Sequence, residues 1–391
     1  MKPESACLRA LRDDIRAFLD EKFDPALRAR LRRGEFPGRQ DLVAWQRTLQ
    51  ARGWGAPNWP QEFGGTGWND MQQLVFLEEC SAVCAPAPHV FNITMLGPVL
   101  IRFAAPEQRA AWLPRLLAAD VLFCQGFSEP GAGSDLASLQ TVAQRDGDDY
   151  VVNGQKIWTT AAHYSDWIFC LVRTDPQAKK QRGISFLLID LQSPGITVRP
   201  IISIDGRHSL NQVFFDNVRV PASQRVGEEN RGWDYARFLL GNERASIAGV
   251  AKSRERLRYA RQLAQAAPGC NGHSLADDPG LRLRMLRLEA ELEALDRTQY
   301  RLLGSADPAG RVAGASVLKV SGTELQQRIQ DLLMDVSGTI GLRLPGPDGF
   351  GDDVREPLGV AHLYARAASI YGGTNEVQKN ILAKHVFDTT P

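Results

Sequence analysis

One carboxylate in this chain stands where acid–base chemistry would need it. In Gly232–Val250, GWDYARFLLGNERASIAGV, Glu243 shares a helical face with Ala236, Leu239, Leu240, Ile247 and Val250. No lysine or arginine lies three or four residues away to pair with it, and Arg244 points roughly 100° around the axis. A carboxylate among aliphatic side chains either meets a cation from another segment or has its pKa raised by desolvation. In the second case, facing a pocket, it is a general base poised near neutral pH. In the first it is a buried structural ion pair. The helix alone leaves both open.

A second constellation lies in GFSEPGAGSD (126–135). Gly131, Gly133 and the Ser134-Asp135 pair make a tight backbone with free N–H groups and hydroxyls, a nest for an anion or for the polar edge of a heterocycle. The plainer alternative is a turn with an Asx cap. The nest is followed by Lys156-Ile157-Trp158-Thr159-Thr160. There an indole can lie on a flat ring while a nearby hydroxyl reaches a ring nitrogen. Together the two motifs describe a site for a planar polar cofactor.

The elements that must position these groups follow from changes of period. Residues 1–121 read as helices, with helical spacing in Leu8–Phe23, Asp41–Arg52, Asn69–Val83 and Glu107–Ala118. The Gly-, Pro- and Trp-rich stretch Gly53–Trp68 reads as an ordered loop whose aromatics pack. From about Val121 the pattern alternates. YVVNGQKIWTTA predicts a hairpin turning at Asn153-Gly154, and WIFCLVRT, GISFLLIDL, GITVRPI and NQVFFDNVRV predict further strands. After Gly227 the pattern is helical again, in Trp233–Ala264, Leu281–Leu303, Val312–Val336, Leu358–Ile370 and Asn375–Phe387, a helical bundle. The expected fold is α+β: an N-terminal helical domain (1–121), a β-sandwich or barrel-like middle domain (122–226) and a four-helix-type bundle (227–391).

Composition narrows the function classes. The 391 residues, 43% hydrophobic and 23% charged, are those of a soluble globular protein, and a net charge of +1 gives no field to steer nucleic acid or anionic membranes. The six cysteines are scattered without CxxC pairs or histidines at zinc spacing, so no metal site is expected and all six read as reduced thiols. No apolar run approaches the ~20 residues of a membrane span. The expected location is the cytoplasm. No GxGxxG follows a strand and no GxxxxGK[ST] occurs, so a nucleotide would not be held in Rossmann or P-loop manner.

GFSEPGAGSD, GQKIWTT, FFDNVRVP, the NER at 242–244 and the C-terminal YGGTNEVQKNILA (371–383), in this order over nearly the whole chain, resemble the acyl-CoA dehydrogenases, which are FAD enzymes. AWQRTLQARGWGAPNWPQEFGGTGW and FLLGNERASIA look most like the large subunits of heteromeric bacterial members, of the pimeloyl-CoA dehydrogenase type or acting on steroid side chains. The resemblance implies that Phe127 and Ser128 meet the flavin pyrimidine edge, and that Gly133 and Ser134 line the flavin and CoA side of the nest. It places Trp158 on the isoalloxazine, Thr160 near N5, and Thr374 and Glu376 at the FAD diphosphate and adenosine. The Gly372 N–H, after Tyr371, would polarise the substrate thioester carbonyl; Arg244 would be structural or near the substrate mouth. Many members carry the catalytic glutamate at the position of Gly372. Others place it on the long helix before an arginine, as Glu243-Arg244 does here. The arginine–phenylalanine segment by which homotetrameric relatives reach a neighbour's FAD is replaced at Ala267–Gly280, and their QxxGGxG reads DVSGTIG.

The implied reaction is α,β-dehydrogenation of an acyl-CoA. Its partners would be an electron-transferring flavoprotein and either further copies of the chain or a related small subunit. Two rivals remain: an oxidase, monooxygenase or desulfinase on the same fold, and a non-catalytic subunit of a heteromeric dehydrogenase.

Overall fold

Two of the N-terminal helices begin on a side chain that satisfies free N–H groups. Ser5 accepts from Leu8 and opens α1 (Ala6–Lys22); Asn69 and Gln72 form a capping box that opens α4 (Asp70–Ala82). Between them lie α2 (Pro25–Arg32) and α3 (Arg39–Ala51). α1 packs on α4 through Ile15, Phe18 and Leu19, and buried Glu79 of α4 is held by Arg12 and Arg16 of α1. This computed structural model describes residues 5–32, 35–269, 272–305, 307–338, 342 and 358–387; the side chains of 242–247, 308 and 309 lie outside the described residues.

A π-helical turn, Val90–Leu96, leads into α5 (Gly97–Phe103), and α6 (Pro106–Leu117) begins with proline in its first turn. His89 caps the π turn by accepting the Asn92 N–H, and burial pushes its imidazole down to about 4, which keeps it neutral. Asn92 donates to the Val121 carbonyl at 2.7 Å and accepts from the Phe123 N–H at 2.9 Å. One buried amide thus joins the helical part to the first strand. The loop of residues 53–68 is ordered as expected: Trp54 and Trp59 are buried, and the Trp59 indole donates to the Ile93 carbonyl at 2.8 Å.

The strands are β1 (Phe123–Gly126), β2 (Val142–Asp146), β3 (Asp149–Lys156), β4 (Trp167–Arg173), β5 (Ile184–Asp190), β6 (Ile196–Ile202) and β7 (His208–Pro221). They form one sheet in the order β1-β4-β2-β3-β7-β6, with β5 on β4. β1 runs parallel to β4, while β2–β3, β3–β7, β6–β7 and β4–β5 are antiparallel. One apolar core runs from the π turn, α5 and α6 through β1, β4 and β5. The sheet's other face holds a second core.

The bundle comprises α7 (Gly232–Ile247), α8 (Val250–Ala266), α9 (Pro279–Leu303), α10 (Pro308–Ser337), α11 (Leu358–Ala365) and α12 (Asn375–Phe387). α10 packs against each of the other five. α7 belongs to both halves: Tyr235, Ala236 and Leu239 enter the core shared with the sheet, and its far end lies on α10.

The architecture of helices, sheet and helices is the one expected from the sequence; three local expectations are corrected. Asn153-Gly154 is not a turn. β3 runs through it, with a bulge against β7 at this point; Gly154 has φ +143° and a Cβ there would meet the Thr141 Cα at 2.7 Å. The hairpin turns instead at Asp146–Asp149, where Gly147 has φ +61°. The segment Trp233–Ala264 is two helices, broken where Gly249 takes φ +59°. Helices α2 and α5, too short for periodicity to show, join the N-terminal four.

Gly97 is the tightest helix contact: a Cβ there would lie 2.0 Å from Trp59 Cζ2. Gly97→Ala is expected to lower stability by about 1–3 kcal/mol, read as a fall in the denaturant midpoint with the slope unchanged.

Candidate active site

The first cluster is built on Lys156. The inward positions of β3 are Tyr150, Val152 and Lys156, all buried, and an ammonium in a strand interior needs a counter-charge. Its Nζ donates to Glu129 Oε1 at 2.7 Å and to the Phe127 carbonyl at 3.2 Å. Glu129 also accepts the N–H groups of Gln140 at 2.6 Å and Thr141 at 2.9 Å. Burial alone would push this carboxyl up; Lys156 and the N–H donors outweigh it and hold the pKa below the usual range. Glu129 and Ala132 exchange backbone hydrogen bonds at 3.0 Å, closing the turn between them.

Past that turn, Gly133 and Ser134 are exposed, and a Cβ at Gly131 or Gly133 would meet nothing within 4 Å. Asp135 is used locally, accepting from the Ser138 hydroxyl and, at 2.7 Å, from Lys180 Nζ. The cap therefore accounts for Asp135 and leaves the glycine backbone open. Phe127 packs edge-on against Phe169 and Phe186 inside the core, so only its backbone is available to a ligand. Half-buried Ser128 accepts the Ile157 N–H at 2.9 Å, which places Phe127-Ser128 beside Trp158.

Trp158 is 57% exposed at φ +60°, a costly backbone for a bulky residue. Both sides of it are tied down. The Thr159 N–H donates to the Asn211 carbonyl and Asn211 Nδ2 to the Thr159 carbonyl, each at 3.0 Å, while the Ala161 N–H donates to Ser209 at 3.0 Å. Buried Thr159 Oγ1 has no partner among the described residues, and Thr160 is half-buried. A large flat side chain is thus held out to solvent against its own backbone preference.

The second cluster is the turn into α12. Gly372 and Gly373 have φ +63° and +83°, and the Gly372 N–H has no hydrogen-bond partner among the described residues. Thr374 accepts the Val377 N–H at 3.2 Å and caps α12. Exposed Glu376, in the first turn, is held below the usual carboxylate range by backbone N–H donation and the Thr374 hydroxyl. Buried Lys319 of α10 fixes the turn by donating to Asn375 Oδ1 at 3.0 Å, with Ser316 donating to Gln378 at 2.8 Å. Tyr371 is 45% exposed.

α7 lies between the sheet and α10. Ala236, Leu239 and Val250 of the stripe read from the sequence are buried. The Glu243 and Arg244 backbones are helical, and their side chains lie outside the described residues. The α7–α8 junction is clasped by α10: a Cβ on Gly322 would lie 2.5 Å from the Ala248 carbonyl oxygen, to which Gln326 Nε2 donates at 3.0 Å.

The Glu129–Lys156 pair and Asn211 were not singled out from the sequence. The pair had a signal, since Lys156 falls at an inward position of an alternating strand, which demands a buried acid. Asn211 had none, because its role depends on β7 lying beside β3. Among the described residues no group of three metal-binding side chains occurs, and no helix is long and apolar enough to cross a membrane. Cys7, Cys80, Cys84, Cys124 and Cys170 are free thiols; Cys270 lies outside the described residues.

Glu129→Gln strands a buried ammonium and is expected to cost about 3–5 kcal/mol. Because the folded carboxyl titrates below its unfolded value, its contribution is complete above the unfolded pKa and disappears as pH falls through the folded one. The gap between wild type and variant in denaturant titrations should therefore be widest near neutrality and narrow below about pH 4.

Family models match along the chain: the acyl-CoA dehydrogenase N-terminal domain over residues 5–120, the middle domain over 124–218 and the C-terminal domain over 230–387. The chain is 39% identical over 357 residues to acyl-CoA dehydrogenase IpdE1 of Mycobacterium tuberculosis, covering 90% of each chain. It is 39% identical over 338 residues to acyl-CoA dehydrogenase FadE26 of the same organism, covering 84% of this chain and 83% of that one. Among solved structures, the ChsE4–ChsE5 complex of M. tuberculosis superposes with a TM-score of 0.85 at 34% identity over 100% of both chains. The Tcur3481–Tcur3483 steroid ACAD superposes at 0.86 with 30% identity over 99% of this chain and 98% of that one. The chain belongs to the acyl-CoA dehydrogenase family and is a flavin-dependent oxidoreductase.

Proposed function

We propose that the protein removes two hydrogens from an acyl-CoA thioester to give the trans-2-enoyl-CoA, with Glu243 as the base for the α-proton. One observation carries the reading: in a chain of this family, a strained indole is held out to solvent beside an open glycine turn. The residues present fit FAD. Trp158 would offer its flat face to the isoalloxazine, and the Thr160 hydroxyl would be available to a ring nitrogen. The backbones of Phe127, Ser128 and Gly133 and the Ser134 hydroxyl offer donors to its polar edge. Thr374 and the N-terminus of α12 suit the diphosphate, and Glu376 the adenosine. When bound, FAD supplies a hydride acceptor.

The chain's own groups do the rest. The Gly372 N–H, without a partner among the described residues, donates to the thioester carbonyl, which makes the α-proton more acidic. With glycine at that position, the tyrosine-linked carboxylate site is empty of acid, and Glu243 on α7 is left to take the proton. The aliphatic residues that share its helical face in the sequence would keep the carboxylate basic. Tyr371 and Arg244 border the substrate. The division at residues 1–121, 122–226 and 227–391 puts the base in the bundle and the flavin platform in the β domain. An electron-transferring flavoprotein reoxidises the protein, which works as an oligomer with a related subunit; the ChsE4–ChsE5 and Tcur3481–Tcur3483 likenesses support the heteromer.

Purified protein should be yellow, and an anaerobic acyl-CoA should bleach its flavin band. Glu243→Gln should keep the flavin and lose roughly 10²–10⁴ in bleaching rate. Unchanged bleaching would remove Glu243 as base, and peroxide release during aerobic turnover would favour an oxidase.

A further inference from the structure

A cavity of about 310 Å³ lies among α8, α10, α11, the end of α4 and the β6–β7 loop, with Tyr371 on its wall. It is at the small end of ligand pockets, too small for a whole coenzyme thioester but roomy for an acyl tail. Tyr371 on its wall is the residue before Gly372, so the cavity lies one chain position from the proposed carbonyl site. Ala361 and Ala365 of α11, and Ala368 in the turn that follows it, line one side, which leaves space where larger residues would fill it.

Its charges do not balance internally. Of the lining carboxylates, Glu35 pairs with Arg30 at 2.9 Å and Glu255 with Arg256 at 3.5 Å. Arg207 lies 3.9 Å from Asp205 and 4.4 Å over the Phe36 ring, yet its buried Nη2 has no partner among the described residues. Ser253 Oγ on the same wall is also buried without a partner. Lys252, at the start of α8, has neither ion pair nor hydrogen bond among the described residues. Its side chain is exposed and lines the cavity. Crowding by the fold, then Arg256, push its pKa down, against a pull upward from Glu255; the lining as described carries Arg207, Lys252 and Arg256 against Glu35 and Glu255.

We propose that this cavity receives the far end of the acyl tail and that Lys252, backed by Arg207, selects tails ending in a carboxylate. The inference rests on the acyl-CoA reading above and adds a substrate class to it. Apolar walls take the methylene chain, and the terminal carboxylate gives the ammonium the partner that no described side chain supplies. A methyl-ended tail would leave Lys252 desolvated and unpaired, which is how the site discriminates.

The test titrates the flavin-loaded protein with two thioesters of equal length, octanoyl-CoA and its ω-carboxy analogue suberyl-CoA, by calorimetry and flavin absorbance together. Wild type should bind suberyl-CoA about tenfold or more tightly than octanoyl-CoA, the scale of one charge-assisted hydrogen bond. Lys252→Met should abolish that preference by weakening suberyl-CoA alone, Lys252→Arg should retain it, and an unchanged unfolding midpoint shows the variants folded. Equal affinity of the two thioesters in wild type overturns the proposal. So does an equal loss for both in Lys252→Met, which would assign the ammonium to the coenzyme moiety. Bleaching separates the two readings: preference without bleaching supports the cavity and sinks the dehydrogenation, and bleaching without preference does the reverse.

Discussion

The site rests on one ion pair sealed inside the β domain. Lys156 sits where its strand would otherwise present an apolar side chain, and Glu129 is the acid that makes this tolerable. Such a pair adds little net stability compared with an apolar pair of similar size, because both charges have left water. Its effect is geometric. The same ammonium grips the Phe127 carbonyl, and the same carboxylate gathers the N–H groups of Gln140 and Thr141. Three stretches of chain are thereby fixed relative to one another: the glycine turn, the start of β2 and the end of β3. Trp158 follows two residues later and inherits that placement.

Layered on this is strain that the surroundings hold in place. Trp158 and Ala161 both take left-handed backbone, and Asn211 and Ser209 of β7 pin the peptide groups between and beyond them. An exposed indole on so constrained a backbone is stiff, which would suit the proposed contact with a rigid ring. The turn into α12 is built differently: two glycines at positive φ shape it and a capped helix follows.

How much of this could be read from the residues depends on whether the determining contact was local. Long amphipathic helices such as α9 and α10 and the strands WIFCLVR and ISFLLID were legible because period alone specifies them. Asn153-Gly154 misled because the same dipeptide serves a hairpin turn and a bulge, and only the partner strand decides which. The break at Gly249 was missed because helical spacing continues in phase across it. The motifs at 126–135, 156–160 and 371–383 were visible as chemistry, and the family then followed. The cavity was not visible: Lys252 reads as one more charge on an arginine-rich helix until α10 and α11 close around it.

The long helix α10 does more than fill the bundle's centre. Within eight residues it carries Lys319, which anchors the turn of Gly372, and Gly322 and Gln326, which seat the end of α7. At 1.5 Å per residue these anchors span about 10 Å of one rod. The proposed base and the proposed carbonyl donor, 129 positions apart in the chain, are therefore measured off the same ruler. If α10 slides or tilts as subunits assemble or electron carriers dock, both ends of the thioester's grip travel together, and the spacing that proton removal depends on is preserved.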